Sequence, residues 1–235
     1  LVGSEMCIRD SSMGNALGNL KEYWDEIYSH PRMLGGFIWD WVDQGLYQEM
    51  EDGKKRIVYG GYFGDKPNLK AFCLNGIVRS ERELTPKYWE VKKVYSPIEI
   101  SLKDNTYVIT NRHSHVGFED YKGVWEWQEN GKVVKSGEWI LPSTLPGKSS
   151  VVDLSSCKLP SVNNKKDVRL TLKVLLAKNT DWTQKGFEVY SQQFVINQNL
   201  LTVADNRVPS VSGKLTVSEN DGNLIVKGKS CLLYT

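Results

Sequence analysis

The chain has 235 residues, of which 40% are hydrophobic and 25% are charged, and its formal net charge is +2. This composition is ordinary for a folded globular chain, and so small a charge gives no electrostatic reason to expect nucleic acid or an anionic membrane as a partner. No apolar run approaches the ~18 residues that a membrane-spanning helix needs, so we expect neither partner.

The two ends of the chain, LVGSEMCIRDS and SCLLYT, continue no pattern beside them. One DNA element, TGTATAAGAGACAG, fits codons of the first segment, and its complementary strand fits codons of the last. The element resembles the mosaic-end adapter of a transposase sequencing library. We therefore expect residues 1–11 and 230–235 to be adapter-derived and non-native. Cys73 and Cys157 then remain, and their spacing predicts free thiols.

Residues 13–95 are predicted to alternate between helix and strand. NALGNLKEYWDEIYSH has helical spacing with Asn15 as a candidate N-cap, and Pro31 ends that helix. The apolar run MLGGFIWDWV is typical of a strand buried on both faces. After a Gly-rich loop at 59–68, TPKYWEVKKVY predicts a second helix with Thr85 as its N-cap.

From Ile98 to Asn197 the sequence alternates between apolar and polar residues in seven short runs, which predicts a β-sandwich. The runs are IEISLK, TYVIT, VWEWQ, VVKSGEWI, SSVVDL, VRLTLKVLL and FEVYSQQFVI. Residues 129–132, ENGK, predict a tight hairpin turn between the third and fourth runs. A polar connector follows, and VSGKLTVSENDGNLIVKG predicts one further hairpin that turns at Asp221-Gly222.

The chain has eight tryptophans, whose flat rings suit both protein cores and the faces of sugars. Trp125, Trp127 and Trp139 therefore allow a carbohydrate-binding sandwich module as one hypothesis. Trp125 and Trp127 share one face of a strand, and a sandwich buries one face of every strand. Core packing is therefore our preferred interpretation for these three, and also for Trp24 and Trp41.

Three segments in order carry a family resemblance: MGNALGNLKEYWDEIYSHPRMLGGFIWDWVDQGL, YGGYFGDKPNLKAFCLNGIV and EVKKVYSPI. They resemble the β-galactosidases of glycoside hydrolase family 2. The resemblance implies an α/β plus all-β chain, in which the last part of a (β/α)8 TIM barrel precedes an immunoglobulin-like β-sandwich and the start of a further β domain. The implied boundaries are 12–96 for the barrel portion, 97–197 for the sandwich, and 198–229 for the linker and first hairpin.

The same resemblance implies site residues. Trp39, at the end of the last barrel strand, would form a wall of the galactose pocket, although a core position at the barrel mouth is the alternative. Asn75 would contact sugar and bind sodium together with the Phe72 carbonyl, and Asn68 would lie on the magnesium side. A plain turn at Asn75-Gly76 is the alternative there. Mg²⁺ and Na⁺ are implied for the parent enzyme, and neither is expected to bind tightly to this chain alone.

Family members hydrolyse terminal β-galactosides, as in lactose, by double displacement with two carboxylates about 5 Å apart. The resemblance puts the nucleophilic glutamate at position 8, where this chain has Ile8, and a histidine at position 11, where it has Ser11. No catalytic residue is therefore assigned, and we expect the chain by itself to be inactive. The parent is expected to be a homo-oligomer.

Two further expectations concern the pocket rim. Tyr62 stands where the family usually has aspartate, which changes the polarity near the rim. Asp40 and Asp43 flank the pocket strand and are interpreted as groups that cap loops or support the site. A family 2 enzyme for another sugar, a β-glucuronide or a β-mannoside, is the remaining alternative, although residues 12–95 lack the Asn-x-Lys pattern of glucuronide recognition.

Overall fold

The computed structural model describes residues 8–14, 17–197, 216–220, 223–227 and 232–234. Within these ranges the fold is mostly sheet, with two α-helices and no closed barrel. The chain divides into two compact units. Unit 1 comprises residues 1–125, 137–157 and 172–192, and unit 2 comprises 126–136, 158–171 and 193–235.

The first elements form a β–α–β arrangement. Strand β1 (Ile8–Ser11) pairs in parallel with β2 (Gly36–Trp39), so that Ser11 lies opposite Trp39. Helix α1 (Leu20–Ser29) connects the two strands. Residues 8–11, for which we expect an adapter origin, therefore occupy a strand, because a parallel ladder is made by backbone groups whatever the side chains.

The two helices differ in how well their starts were predicted. Helix α1 begins at Leu20, later than the predicted cap Asn15, which lies outside the described residues. Asn19, just before the helix, has a φ of 63°, a left-handed conformation that a continuous helix excludes. Helix α2 (Pro86–Val94) follows Thr85 as predicted, but the Thr85 hydroxyl donates to the Ile77 carbonyl at 2.5 Å instead of capping the helix.

Strand β2 is not buried on both faces, so that prediction was wrong. Ile38 packs against a buried cluster made by the helices and residues 77–78, whereas Phe37 is 66% exposed. Alternate strand side chains point to opposite faces, and the helices cover only the face that carries Ile38. Trp24 packs against the cluster as predicted, but Trp41 does not belong to the core because it is 53% exposed.

Between β2 and α2 the chain forms a hairpin and a short turn. Strand β3 (Leu46–Glu49) pairs antiparallel with β4 (Lys55–Val58). A 3-10 helix follows at Lys70–Cys73, and the Gln44 N–H donates to the Cys73 carbonyl at 2.9 Å. This bond fastens the turn to the loop that leaves β2.

The seven strands predicted after Pro97 are all present. They are β5 (Ile98–Lys103), β6 (Thr106–Asn111), β7 (Tyr121–Glu129), β8 (Lys132–Trp139), β9 (Ser149–Val151), β10 (Val168–Leu176) and β11 (Glu188–Asn197). They form one sheet in the order β5-β6-β9 and another in the order β11-β10-β7-β8. Asn130 and Gly131 both have positive φ, which confirms the predicted hairpin turn.

The three tryptophans on strands β7 and β8 are buried, as predicted. Trp125, Trp127 and Trp139 are each at most 3% exposed. Cys157 is a buried free thiol and Cys73 a half-buried one. These observations favour core packing over a sugar-binding surface for the three tryptophans.

The last described strands are β12 (Thr216–Asn220), β13 (Asn223–Lys227) and β14 (Leu232–Tyr234), which pair antiparallel in that order. The predicted hairpin strands are thus present, and the predicted turn at 221–222 lies outside the described residues. Among the helices that the structure describes, none has the length and apolar character needed to span a membrane.

Candidate functional site

The candidate site lies at the end of β2, where residues 40–43 run beside residues 75–78 and bond to them through backbone groups. The Asp40 N–H donates to the Asn75 carbonyl at 2.8 Å, and the Ile77 N–H donates to the Asp40 carbonyl at 2.9 Å. Gly76 is required for this close approach, since a Cβ on it would lie 2.0 Å from the Asp43 nitrogen. The two segments are therefore held in fixed register at the carboxyl end of β2.

The structure brings two of the predicted residues, Trp39 and Asn75, into direct contact. With the amide oriented so that both of its ends are satisfied, Trp39 Nε1 donates to Asn75 Oδ1 at 3.1 Å, and Asn75 Nδ2 donates to the Cys73 carbonyl at 3.3 Å. Asn75 is 4% exposed, whereas Trp39 is 42% exposed. A fixed indole thus presents ring surface to solvent, and the amide oxygen keeps a second lone pair.

Phe72 belongs to the same sequence motif as Asn75, but its predicted contribution is its backbone carbonyl and not its side chain. It is part of the 3-10 helix, and its ring is 54% exposed. The Leu74 N–H donates to the Ala71 carbonyl at 2.9 Å, which ends the turn just before Asn75. The turn therefore fixes the backbone that carries the predicted carbonyl ligand.

Asn68 holds its own loop together. Its Nδ2 donates to the Asp65 carbonyl at 2.9 Å, and its Oδ1 accepts from the Lys70 N–H at 3.2 Å. The side chain also packs on Gly61, whose φ of 95° favours glycine. These contacts of Asn68 all lie within residues 61–70, and none of them reaches Trp39 or Asn75.

The donor set around Asn75 fits sodium better than magnesium. Neutral amide and carbonyl oxygens are present there, and a hard cation binds oxygen ligands. Within the described ranges, no three His, Cys, Asp or Glu side chains come close enough together to hold a metal ion.

The two aspartates beside the site have the supporting roles that were predicted. Asp40 accepts hydrogen bonds from the Trp41 N–H at 2.6 Å and from Gln44 Nε2 at 2.8 Å. Asp43 Oδ1 accepts from the Gly76 N–H at 2.7 Å. Both carboxylates therefore stabilise loop backbone.

Sequence reasoning missed Ser12 and Lys87, which also contact this region. Lys87 Nζ donates to the Ser12 carbonyl at 2.8 Å and to the Gly76 carbonyl at 2.5 Å. Burial lowers the pKa of Lys87, and the nearby Asp43 carboxylate offsets part of that effect. No motif marked either residue, because their role arises from hydrogen bonds between residues that lie far apart in the sequence.

An open hollow of about 560 Å³ lies beside the site. Its lining includes Asp40, Trp41, Gln44, Tyr47, Ser80 and Arg82. None of the four predicted site residues lines it, so the hollow is separate from the Trp39–Asn75 contact.

Two family matches cover most of the chain. Residues 6–100 match the model of the glycosyl hydrolases family 2 TIM barrel domain, and residues 107–197 match that of β-galactosidase domain 4. The chain therefore belongs to glycosyl hydrolase family 2.

Individual relatives agree with this assignment. The chain is 35% identical to a β-galactosidase of Priestia megaterium over 95% of its own length, 34% identical to one of Psychromonas ingrahamii over 95%, and 30% identical to one of Clostridium acetobutylicum over 93%. It covers 22%, 21% and 23% of these proteins, respectively, so it spans about a fifth of the length of the curated relatives it matches.

Proposed function

We propose that this chain is a segment of a retaining β-galactosidase that hydrolyses terminal, non-reducing β-D-galactose residues from lactose-type substrates. The contact between the half-exposed Trp39 indole and the buried Asn75 amide, at the carboxyl end of a parallel strand, carries the proposal. Catalytic groups of barrel enzymes lie at that end of the strands. The β-galactosidase relatives support the choice of sugar.

In this proposal residues 12–96 are the C-terminal portion of a (β/α)8 barrel, with β2 as its last strand. Residues 97–197 are the immunoglobulin-like sandwich that follows, and residues 198–229 begin a further β domain. The exposed face of β2, with Phe37 and Trp39, is then the face toward the barrel interior. The succession of helix α1, strand β2 and, further along the chain, helix α2 supports this arrangement, since alternating strands and helices are the repeating unit of such barrels.

Trp39 serves in the proposal as one wall of the galactose pocket, where the apolar face of the sugar stacks on the indole. Asn75 Oδ1 and the Phe72 carbonyl would hold a sodium ion, which would supply positive charge beside the sugar. Asn68 orders the loop on the magnesium side. When bound, the two metals supply positive charge that orients the substrate oxygens.

The chain by itself is proposed to be inactive, because double displacement needs a nucleophile and an acid/base group. Position 8, where the family has its glutamate, is occupied by Ile8. Nitrophenyl β-galactoside hydrolysis by the purified 235-residue chain should equal that of a buffer control. Measurable turnover by the chain would contradict this part of the proposal.

The substrate assignment can be tested by grafting residues 12–197 in place of the matching residues of the Priestia megaterium relative. The graft should hydrolyse a β-galactoside in preference to the matching β-glucuronide and β-mannoside. Trp39→Ala in the graft should lower kcat/KM roughly 100-fold, since stacking on an aromatic ring and orientation at the reacting centre are lost together. The matched control Trp89→Ala, which removes an exposed ring on α2, should change it less than about twofold.

Two results of this experiment, and one result of a separate binding measurement, would count against the proposal. A folded graft that prefers glucuronide or mannoside would support the alternative family 2 specificity. Equal losses for Trp39→Ala and Trp89→Ala would remove the assigned role of Trp39. Galactose binding by residues 98–197 alone would favour the sandwich as a carbohydrate-binding module, although the burial of Trp125, Trp127 and Trp139 argues against it.

A further inference from the structure

Ser12 lies at the centre of a closed set of hydrogen bonds at the candidate site. Its N–H donates to the Trp39 carbonyl at 2.7 Å, and its hydroxyl donates to the Asn75 carbonyl. The Trp39 indole N–H completes the set by donating to Asn75 Oδ1 at 3.1 Å. Ser12 has no exposed surface, so the two bonds that Ser12 itself makes are shielded from competing water.

Lys87 extends this arrangement from the first turn of α2. Its ammonium group donates to the carbonyls of Ser12 and Gly76, while the Gly76 N–H donates to Asp43. Gly76, which follows Asn75, is therefore held at both its N–H and its carbonyl. The Asn75 carbonyl itself accepts from Ser12 and from the Asp40 N–H, which uses both of its lone pairs.

We propose that Ser12 and Lys87 are positioning residues that fix the Trp39 indole and the Asn75 amide relative to each other. Ser12 bonds to the backbone carbonyls of Trp39 and Asn75. Lys87 bonds to the backbone carbonyls of Ser12 and Gly76. Neither residue needs to touch sugar or cation, because both act through the backbone of residues that do. The meaning of this role for catalysis rests on the function proposed above, whereas the role itself concerns geometry alone.

The test is the hydrogen-exchange rate of the Trp39 indole N–H in the 235-residue chain labelled with ¹⁵N-tryptophan. The Trp39 signal is assigned by its disappearance in Trp39→Phe. Ser12→Ala and Lys87→Met should each raise the Trp39 exchange rate roughly tenfold, since each removes hydrogen bonds that hold the partner of this donor. The matched control Ser80→Ala, whose hydroxyl donates to the Asp43 carbonyl, should change it less than about twofold.

Two internal comparisons keep this test specific. The indole N–H groups of Trp125 and Trp139, which lie in the strand region, should exchange at unchanged rates in both variants. Lys87→Arg, which keeps a cationic donor, should recover most of the protection. An unchanged Trp39 rate, or an equal rise at Trp125 and Trp139, would overturn the proposal, because the first shows no positioning and the second shows only general destabilisation.

The graft provides a second readout that separates this proposal from the proposed function. Ser12→Ala in the graft should raise KM for the galactoside about tenfold while lowering kcat less than about threefold, because substrate binding is loosened more than the chemistry. If Ser12→Ala lowered kcat and left KM unchanged, the result would contradict a role for Ser12 in positioning Trp39 for sugar binding. The exchange measurement needs no galactoside and therefore tests the positioning role independently. If the exchange effect is selective for Trp39 but the folded graft hydrolyses no galactoside, the positioning role is upheld and the proposed function is refuted.

Discussion

The regions before and after Pro97 differ in how far their tryptophans are exposed to solvent. After Pro97, the three strand tryptophans are at most 3% exposed, and only the loop residue Trp182, at 66%, is open to solvent. Before Pro97, the exposed fractions of Trp39, Trp41 and Trp89 are 42%, 53% and 57%. The later region supplies two sheets that each bury a face, whereas the earlier region supplies two separate strand pairs, and helices cover only one face of β2. Whether a tryptophan is buried thus depends on whether the chain provides a second surface to cover it.

Separating the two regions should give the largest effect. Residues 98–197 alone should unfold in urea in one cooperative transition, whereas residues 12–94 alone should show none, because β2 then lacks its partner β1 and has an uncovered apolar face. Circular dichroism against urea concentration would measure both. Residues 8–96, which keep β1, serve as the matched control, and a sharp transition for residues 12–94 would refute the contrast.

Within the strand region, Trp139→Ala should destabilise the chain by about 3–5 kcal/mol, because it empties a buried volume packed on Gly123. It also removes the Trp139 Nε1 bond to the Val124 carbonyl at 3.2 Å. The matched control Trp182→Ala, at an exposed ring, should cost less than about 1 kcal/mol. Urea unfolding gives both values, and similar losses would show that exposure does not separate these rings energetically.

Arg112→Ala should have a smaller effect, since it removes one contact that joins elements on both sides of Pro97. Arg112 pairs with Glu99 at 2.6 Å, and its guanidinium lies 4.1 Å from the centre of the Tyr28 ring in α1. We expect a loss of about 2 kcal/mol for this largely buried pair and stacked cation. Arg112→Lys should lose about half as much, because a lysine keeps the charge without the planar fork.

The exposed pair of Lys122 and Glu138, 3.2 Å apart, offers the control for Arg112. Lys122→Ala should cost less than about 0.5 kcal/mol, as surface pairs contribute little. Unfolding curves that show equal losses for Arg112→Ala and Lys122→Ala would mean that Arg112 is not a specific link. A full loss in Arg112→Lys would assign the effect to geometry instead of charge.

The smallest expected effect is a pH dependence from His113. Burial lowers the pKa of His113 below its ordinary value of 6.5, and the ring bonds to the Tyr121 hydroxyl at 3.1 Å. The unfolded chain therefore binds more protons than the folded one as the pH falls below about 6.5, so stability should decrease in that direction. His113→Gln should flatten this slope in urea unfolding curves, whereas His115→Gln should leave it; an unaltered slope in His113→Gln would exclude this source.

The strands after Pro97 were predictable because apolar alternation and the Asn130-Gly131 turn are local signals. The start of α1 was not, since Leu17 is buried without being helical and Asn19 takes a left-handed conformation. The apolar run of β2 indicated a strand but not what would cover it, and Trp41 was misassigned for the same reason. A run of apolar residues specifies the need for a partner surface without identifying that surface.

The sequence alone determined helix α2, the seven strands after Pro97 and the motif combination that places the chain in its family, because these depend on residues close together along the chain. It also singled out Trp39 and Asn75, although only by resemblance. The tertiary structure decided that Ser12 and Lys87 meet them, and that the indole N–H of Trp39 pairs with the amide oxygen of Asn75. Such bonds join residues distant in sequence, and their geometry is set by tertiary packing, which no local pattern of residues specifies.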